Sequence, residues 1–363
     1  MRYSKALALG SAAAIAVGVA ACGSSSNDSS TGGASPSSAA LNGAGSTFQA
    51  PLVSEWASRY KDSSGTTVNY QPVGSGAGIA QLTAGTVDFA GSDAVMKPEE
   101  VAAGRDKGTP VHLPIALGAV TVSYNLDGVR AGLRLDGPTI ADIFLGSVTK
   151  WNDQEIASLN AGVDLPDTDI TVCHRSDESG TTANFTQFLA DYSRAWADGP
   201  GVDKSVQWPV GTGARGNDGV AGCVKQTPGA VGYVEQAYAL QNDFTTAAVK
   251  NRDGQWVEPT LDATSAAGEG ANPPANLQFS TINAAGARSY PITAVTFQIV
   301  WQDACKAGIS QDTARSLKAW LTYILGDGQS VAPDLEYAPL PASIQTRAQA
   351  RVDALTCNGS PIA

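Results

Sequence analysis

Two hydrophobic periods alternate along this chain from residue 41 onward. Short runs rich in Val, Ile, Thr and aromatic residues predict strands, and longer segments with apolar residues every three or four positions predict helices. The predicted strands cover 67–70, 87–90, 120–124, 231–234 and 294–300. The predicted helices cover 51–60 and 314–325, and others begin near Ile79, Pro98 and Thr182. This alternation is typical of an α/β fold, and the strand predicted at 120–124 has an alternating pattern of apolar and polar residues.

The first 40 residues have a different pattern. Residues 1–21 combine a short basic start, an apolar run and a small-residue end, which is typical of a secretory signal peptide. The string Val-Ala-Ala-Cys that ends at Cys22 resembles the bacterial lipobox, in which the cysteine is acylated; plain cleavage near Ala21 is the alternative. Residues 22–40 are rich in Ser, Gly and Ala and predict a flexible tether. We therefore expect an extracytoplasmic lipoprotein that is anchored to the cell membrane.

Composition narrows the classes of partner. The 363 residues carry a formal net charge of −11 and contain no Lys/Arg run, which argues against nucleic acid. An anionic ligand is still compatible with this charge, because distant surface charges are screened over about 8 Å at physiological salt. The length suggests roughly two domains.

Four cysteines follow Cys22 in the chain. An even number in an exported protein predicts disulfides, and three pairings are possible. The pairs Cys173–Cys223 and Cys305–Cys357 are favoured, because each closes a loop inside one half of the chain. Zinc is the alternative, but the chain has no CxxC pair and only two histidines, so we expect no metal.

Four turns rich in glycine and hydroxyl residues precede predicted helices, at 43–48, 74–78, 91–94 and 175–181. Ser and Asp are common helix caps, so capping alone explains any one of them. A helix start also offers unpaired N–H groups and partial positive charge, and Arg175 in the fourth turn can add two parallel hydrogen bonds to an oxyanion. Because such turns gather at the carboxyl ends of strands, they predict an anion site.

In combination, these turns closely resemble those of the phosphate-binding proteins of bacterial phosphate ABC transporters. The matching motifs are Gly-Ala-Gly-Ser-Thr-Phe at 43–48 with Pro51, Ser75, Ser-Asp-Ala at 92–94, and Arg-x-Asp-x-Ser-Gly-Thr at 175–181. Supporting strings lie at 141–146, 216–219 and 229–235, and the resemblance extends from Leu41 to the C-terminus.

The resemblance implies a two-lobed, hinged periplasmic-binding-protein fold of type II that closes on one inorganic phosphate. We expect lobe one to comprise 41–118 plus 291–363 and lobe two to comprise 119–290. The resemblance further implies a monomer without a cofactor, which delivers phosphate to the transmembrane subunits of an ABC permease that a cytoplasmic ATPase drives.

The resemblance also implies a ligand set, residue by residue. Backbone N–H groups would come from the first turn, hydroxyl and N–H groups from the second, and a guanidinium and helix-end donors from the fourth. The implied phosphate ligands are Thr47, Phe48, Ser75, Asp93, Arg175, Ser179, Gly180 and Thr181, with Asp177 orienting Arg175.

Asp93 is the unexpected member of this set, because a carboxylate repels an anion unless that anion carries a proton to donate. Phosphate keeps one or two protons near neutral pH and sulfate keeps none, so Asp93 would select phosphate by leaving sulfate opposite an unpaired acceptor. A role as a simple helix cap is the alternative. His174 departs from the family pattern, and we expect it to point away from the ligand, because neighbours on a strand alternate faces.

Two other functions compete with phosphate binding. Gly211–Gly216 satisfies GxGxxG after the strand-like run 206–210, which suggests a dinucleotide site, but Asp218 would then oppose a pyrophosphate. A phosphate-ester hydrolase or another exported phosphate-handling enzyme is the second alternative. A metal-dependent or serine hydrolase would show HExxH or GxSxG, and neither occurs, so we expect no catalytic residues and no enzyme.

Overall fold

The two hydrophobic periods fold into a mixed α/β structure, seen in a computed structural model that describes residues 39–129 and 132–363. The predicted signal peptide, Cys22 and all but the end of the predicted tether lie outside the described residues. The strands are β1 Leu41–Gly45, β2 Val68–Pro72, β3 Phe89–Ser92, β4 Pro110–Tyr124, β5 Arg134–Leu135, β6 Thr171–Arg175, β7 Thr212–Ala214, β8 Ala230–Glu235, β9 Thr245–Thr246, β10 Ala248–Lys250, β11 Trp256–Val257, β12 Thr293–Trp301, β13 Thr356–Cys357 and β14 Ser360–Pro361.

Helices follow most of these strands and cover the sheet. They are α1 Ala50–Ser64, α2 Ser75–Ala84, α3 Pro98–Ala103, α4 Gly137–Leu145, α5 Gln154–Leu159, α6 Gly180–Tyr192, α7 Arg194–Asp198, α8 Gly216–Gln226, α9 Gln236–Gln241, α10 Leu261–Glu269, α11 Gln311–Leu325 and α12 Ala342–Asp353, with a 3-10 helix at Asp327–Leu335. In the described part of the chain, no helix combines the length and the apolarity that a membrane span requires.

The main sheet has the strand order β2-β1-β3-β12-β4-β8-β6-β7, with β9 also paired to β4. Strands β1, β2 and β3 are parallel, as are β6, β7 and β8. Strand β4 joins these two parallel groups, because residues 110–119 pair with β12 and residues 120–124 pair with β8. The carboxyl ends of β1, β3 and β6 lead into the loops that carry the predicted anion site.

The predicted strand 120–124 is confirmed and is part of a longer element. It is the last third of the 15-residue strand β4, and every residue from Val111 to Tyr124 is buried. The hydroxyls of this buried stretch are hydrogen-bonded inside, because Thr121 donates to the Val234 carbonyl at 3.1 Å and lies 2.8 Å from the Ser123 hydroxyl. The run 206–210, by contrast, is not a strand; it is irregular, and Trp208 packs 5.7 Å from the ring of Tyr233.

The predicted helical stripes are confirmed. Leu52, Val53, Trp56 and Tyr60 form the buried face of α1, with proline in its first turn and Gly65 in the left-handed conformation after its end. Both favoured disulfides, Cys173–Cys223 and Cys305–Cys357, are present. The first links β6 to α8, and therefore joins the strand that ends at Arg175 to the helix that begins at Gly216.

Candidate anion-binding site

Arg175 ends strand β6 with its side chain almost fully buried at 1% exposure. Its Nε and Nη2 atoms donate to the two carboxylate oxygens of Asp177 at 2.7 and 2.6 Å. This fork uses two of the five guanidinium N–H groups and fixes the plane in which the others point. Burial would raise the pKa of Asp177, but the hydrogen bonds and charge of Arg175 outweigh burial and lower it. This two-pronged contact is the geometry that the predicted orienting role of Asp177 requires.

Strand β6 leads through a short loop to the N-terminus of α6. Ser179 is the N-cap, and its hydroxyl accepts from the Thr182 N–H at 3.1 Å. The next amide, that of Gly180, donates to the Ser75 hydroxyl at 3.0 Å, so the starts of α6 and α2 meet. A side chain at position 180 would place its Cβ 2.6 Å from that hydroxyl oxygen, so only glycine permits this approach.

Asp93 follows β3 and is only 3% exposed. Its Oδ2 accepts from the Ser46 hydroxyl at 2.5 Å and its Oδ1 from the Thr296 hydroxyl at 2.7 Å. Burial raises the pKa of Asp93 to about 6, against the opposing effects of these two hydroxyls and of the Arg175 charge. The capping alternative for Asp93 is wrong, because the N-cap of the following helix, α3, is Lys97.

Thr47 and Thr181 meet through a residue that the sequence reasoning missed. The Thr47 hydroxyl accepts from Asn217 N at 3.1 Å and from Asn217 Nδ2 at 2.9 Å. The same amide nitrogen lies 3.3 Å from the Thr181 hydroxyl. Asn217 thereby joins the first and fourth turns, and its Gly-Asn-Asp-Gly context at the start of α8 was the signal available for it.

The first turn contributes backbone groups. The Phe48 N–H donates to the Ser46 hydroxyl at 3.0 Å, and the Phe48 ring is fully buried. Every member of the predicted set thus lies at the end of β6, on the loops that follow β1, β3 and β6, or at the starts of α2 and α6. The members are Thr47, Phe48, Ser75, Asp93, Arg175, Ser179, Gly180 and Thr181.

His174 lies outside this cluster. Its ring stacks on Trp208 with 4.7 Å between centroids, and its Nδ1 lies 3.0 Å from the Arg175 carbonyl oxygen. Burial lowers the pKa of His174, which favours the neutral ring at physiological pH. The ring thus packs against Trp208, and its orientation away from the ligand stays a prediction.

Similarity to known proteins identifies the family of this site. Residues 30–328 match the model of the PBP superfamily domain. The phosphate-binding protein PstS of Xylella fastidiosa strain Temecula1 is 42% identical over 313 residues, which span 85% of this chain and 84% of that protein. PstS of Pasteurella multocida is 39% identical, over 86% of this chain and 89% of the relative, and PstS 3 of Mycobacterium tuberculosis is 36% identical, over 96% and 98%. The chain belongs to the PstS family of the PBP superfamily.

Solved structures agree with the PstS assignment at the level of fold. A DING protein superposes with a TM-score of 0.71 at 22% identity, over 88% of this chain and 99% of the other. A phosphate-binding protein from Stenotrophomonas maltophilia gives a TM-score of 0.68, also at 22% identity, over 89% and 99%. The fold is thus the two-lobed α/β fold of the periplasmic binding proteins. The PstS relatives are named as binding proteins and not as enzymes.

Three further side chains, which the predicted ligand set did not include, support the site. Thr296 and Gln49 form a relay to Asp93, in which Gln49 Nε2 donates to Thr296 Oγ1 at 2.7 Å. The Tyr233 hydroxyl accepts from the Arg175 N–H at 3.1 Å and so anchors the end of β6. In the described ranges 39–129 and 132–363, no group of three or more His, Cys, Asp or Glu residues is arranged to hold a metal ion.

Proposed function

We propose that this protein binds one inorganic phosphate between the loops after β1, β3 and β6. The observation that carries the proposal is the buried carboxyl of Asp93, which shares one polar cluster with a buried arginine and two helix starts. Cation, amide and hydroxyl donors suit any small oxyanion, whereas the acid acceptor suits one that carries a proton. Membership of the PstS family supports the same ligand.

The donors would surround the anion on several sides. Arg175 would supply the N–H groups left by the Asp177 fork, and α6 would supply amides and its positive dipole end. The hydroxyls of Thr47, Ser75, Ser179 and Thr181 and the amides of Thr47, Phe48 and Gly180 would complete the set. The last two amides would exchange their bonds to the Ser46 and Ser75 hydroxyls for bonds to the anion. Asp93 would accept the phosphate proton, and sulfate would be disfavoured because it has no proton to give.

Binding would be coupled to closure of two lobes, 41–118 plus 291–363 against 119–290. Contacts between these segments support closure. The Asn184 amide donates to the Asp93 carbonyl at 2.6 Å, and Lys97 pairs with Asp203 at 2.6 Å. A second ion pair, between Lys204 and Glu100, is more buried than the first. Each of these contacts must break when the lobes separate, so they would stabilise the ligand-bound form.

The remaining parts of the proposal concern transport. We propose export, acylation of Cys22 and anchoring at the membrane surface, where a monomer would pass phosphate to an ABC permease. Replacing Cys22 by Ser should move the protein from the membrane fraction to the soluble fraction of cells. An unchanged distribution would rule out the anchor and would leave phosphate binding unaffected.

Titration calorimetry of the purified protein with phosphate, arsenate and sulfate tests the ligand. We expect phosphate to bind much more tightly than sulfate. Arg175→Lys keeps the positive charge but loses the two-pronged geometry, so it should weaken phosphate binding by about tenfold or more. Arg288→Lys is the matched control, because Arg288 is exposed and pairs with Glu269. Absence of phosphate binding by the unmodified protein would overturn the proposal.

A further inference from the structure

Three consecutive backbone carbonyls of the first turn each accept a hydrogen bond from a tyrosine hydroxyl. The pairs are Tyr70 to the Ser46 oxygen at 2.9 Å, Tyr238 to the Thr47 oxygen at 2.7 Å and Tyr337 to the Phe48 oxygen at 2.6 Å. The tyrosines come from β2, from α9 and from the segment between the 3-10 helix and α12, so they converge from three distant parts of the chain.

This arrangement controls which way the peptide groups of the turn point. A trans peptide is planar, and its N–H points opposite to its C=O. A hydroxyl that holds the Ser46 carbonyl therefore aims the Thr47 N–H the other way, and the same applies to the Thr47 carbonyl and the Phe48 N–H. These two amides are the proposed phosphate donors, the Phe48 N–H by exchanging its bond to the Ser46 hydroxyl for one to the anion. The carbonyls are the groups of the turn that would repel an anion.

The hydroxyls also strengthen the amides as donors. Hydrogen bonding to a carbonyl increases the polarity of its peptide group, and linked hydrogen bonds strengthen one another in a buried environment. Burial raises the pKa of all three tyrosines, so each keeps its proton and stays a donor.

The proton count at Tyr337 fits this role. Its hydroxyl has one proton but lies near two acceptors, the Phe48 carbonyl and Glu235 Oε2 at 2.8 Å. Glu235 is fully buried and burial raises its pKa well above the usual value. A protonated Glu235 can donate to Tyr337, which is then free to donate to Phe48, so all three atoms are satisfied.

We propose that Tyr70 and Tyr238 are positioning residues for phosphate, with Tyr337 completing the row. Tyr70 and Tyr238 turn the Ser46 and Thr47 carbonyls away from the anion and the Thr47 and Phe48 amides toward it, and Tyr337 holds the next carbonyl, that of Phe48. This inference rests on the proposed function, because it assumes that the Thr47 and Phe48 amides contact phosphate.

Tyr70→Phe and Tyr238→Phe remove one hydroxyl each and keep the ring. We expect each to raise the dissociation constant for phosphate about fivefold to tenfold in calorimetry. Tyr192→Phe is the control; it loses a hydroxyl hydrogen bond to Asn283, at 3.2 Å, away from the turn, and should bind phosphate like the unmodified protein. Tyr238 also links the two predicted lobes through its bond to Thr47, so Tyr238→Phe would affect lobe closure as well as the turn. Tyr70→Phe is therefore the more specific test of the turn.

Amide NMR shifts of the phosphate-bound protein distinguish positioning from a general loss of stability. Tyr70→Phe should move the Thr47 amide proton upfield most, and Tyr238→Phe should do the same to Phe48. If a Phe variant does not fold, 3-fluorotyrosine at that position, with a more acidic hydroxyl, should shift the same amide downfield. If the unmodified protein binds phosphate and the variants show the same affinity and the same amide shifts, this inference is overturned. No binding by the unmodified protein would instead overturn the proposed function.

Discussion

Replacing Asp93 by Asn tests the selection of phosphate over sulfate. The substitution keeps the size of the side chain and removes its negative charge. It also replaces a carboxylate, which only accepts hydrogen bonds, with an amide that both donates and accepts them. Asp93 is 3% exposed and both of its oxygens accept from hydroxyls, so the asparagine side chain should stay in place. Ser46 and Thr296 can each reverse their hydroxyl to suit an amide, because a hydroxyl both donates and accepts.

The magnitude follows from the two interactions that change. A carboxylate and a dianion such as sulfate, 4 Å apart in an environment of effective dielectric constant 20, repel by about 8 kcal/mol. Phosphate at pH 8 is also a dianion, so most of the relief of this repulsion is common to both ligands and cancels in the ratio. Phosphate loses a hydrogen bond to a charged acceptor, worth about 1.5–3 kcal/mol. We therefore expect the ratio of phosphate to sulfate affinity to fall by about 3 kcal/mol, or roughly a hundredfold.

Competition calorimetry with both anions at pH 8 measures this ratio directly. Asp88→Asn is the matched control, because the Asp88 carboxylate accepts from the Asn42 N–H at 2.8 Å near the start of β3 and burial raises its pKa too. The control should leave the ratio unchanged. A ratio that is also unchanged in Asp93→Asn would refute the role of the carboxylate as the detector of a phosphate proton.

Three further predictions concern Asp177, the Cys305–Cys357 disulfide and the pH dependence of stability. Asp177→Asn should raise the phosphate dissociation constant about tenfold in calorimetry, because Arg175 loses the charge-assisted fork that orients it; wild-type affinity would contradict this. Replacing both Cys305 and Cys357 by Ser should lower the free energy of unfolding in urea by about 4 kcal/mol, because the disulfide closes a loop of 52 residues. Phosphate affinity should be retained, and a loss of affinity without loss of stability would be inconsistent with a structural role. Without ligand, the Asp93 pKa of about 6 lies above the value of 3.8 in the unfolded chain. The ionised Asp93 therefore lowers the free energy of unfolding by about 3 kcal/mol above pH 6, and this cost disappears as the pH falls towards 4. In urea unfolding, Asp93→Asn should be more stable than the unmodified protein at pH 8 but not at pH 4, and a difference that does not depend on pH would argue against this.

The division of the chain into two lobes at residues 118/119 and 290/291 remains a prediction. Strand β4 continues across the first of these points without a break, and β12 begins three residues after the second. A hinge at this place would flex where β4 exchanges β12 for β8 as its neighbour. Small-angle scattering with and without phosphate would show whether the protein becomes more compact on binding.

The sequence by itself determined the local structure and the chemical types at the site. The stripe of Leu52, Val53, Trp56 and Tyr60 specified the buried face of α1, because helical periodicity is a local property. The Ser-Gly-Thr string at 179–181 specified a capped helix start beside Arg175 for the same reason. The sequence favoured one of the three possible cysteine pairings only because each disulfide was assumed to close a loop within one half of the chain.

Only the tertiary structure decided which distant groups complete the site. Thr296 reaches Asp93 because β12 pairs antiparallel with β3 in the register that places Phe297 opposite Ser92, a choice that no local pattern encodes. Asn217 and the three tyrosines around the first turn arrive in the same way, from elements far apart in sequence. Burial of the hydroxyls of β4 also depended on which helices cover the sheet. Periodicity records the apolar face of each element, whereas the partner of a polar side chain depends on how all of the elements pack together.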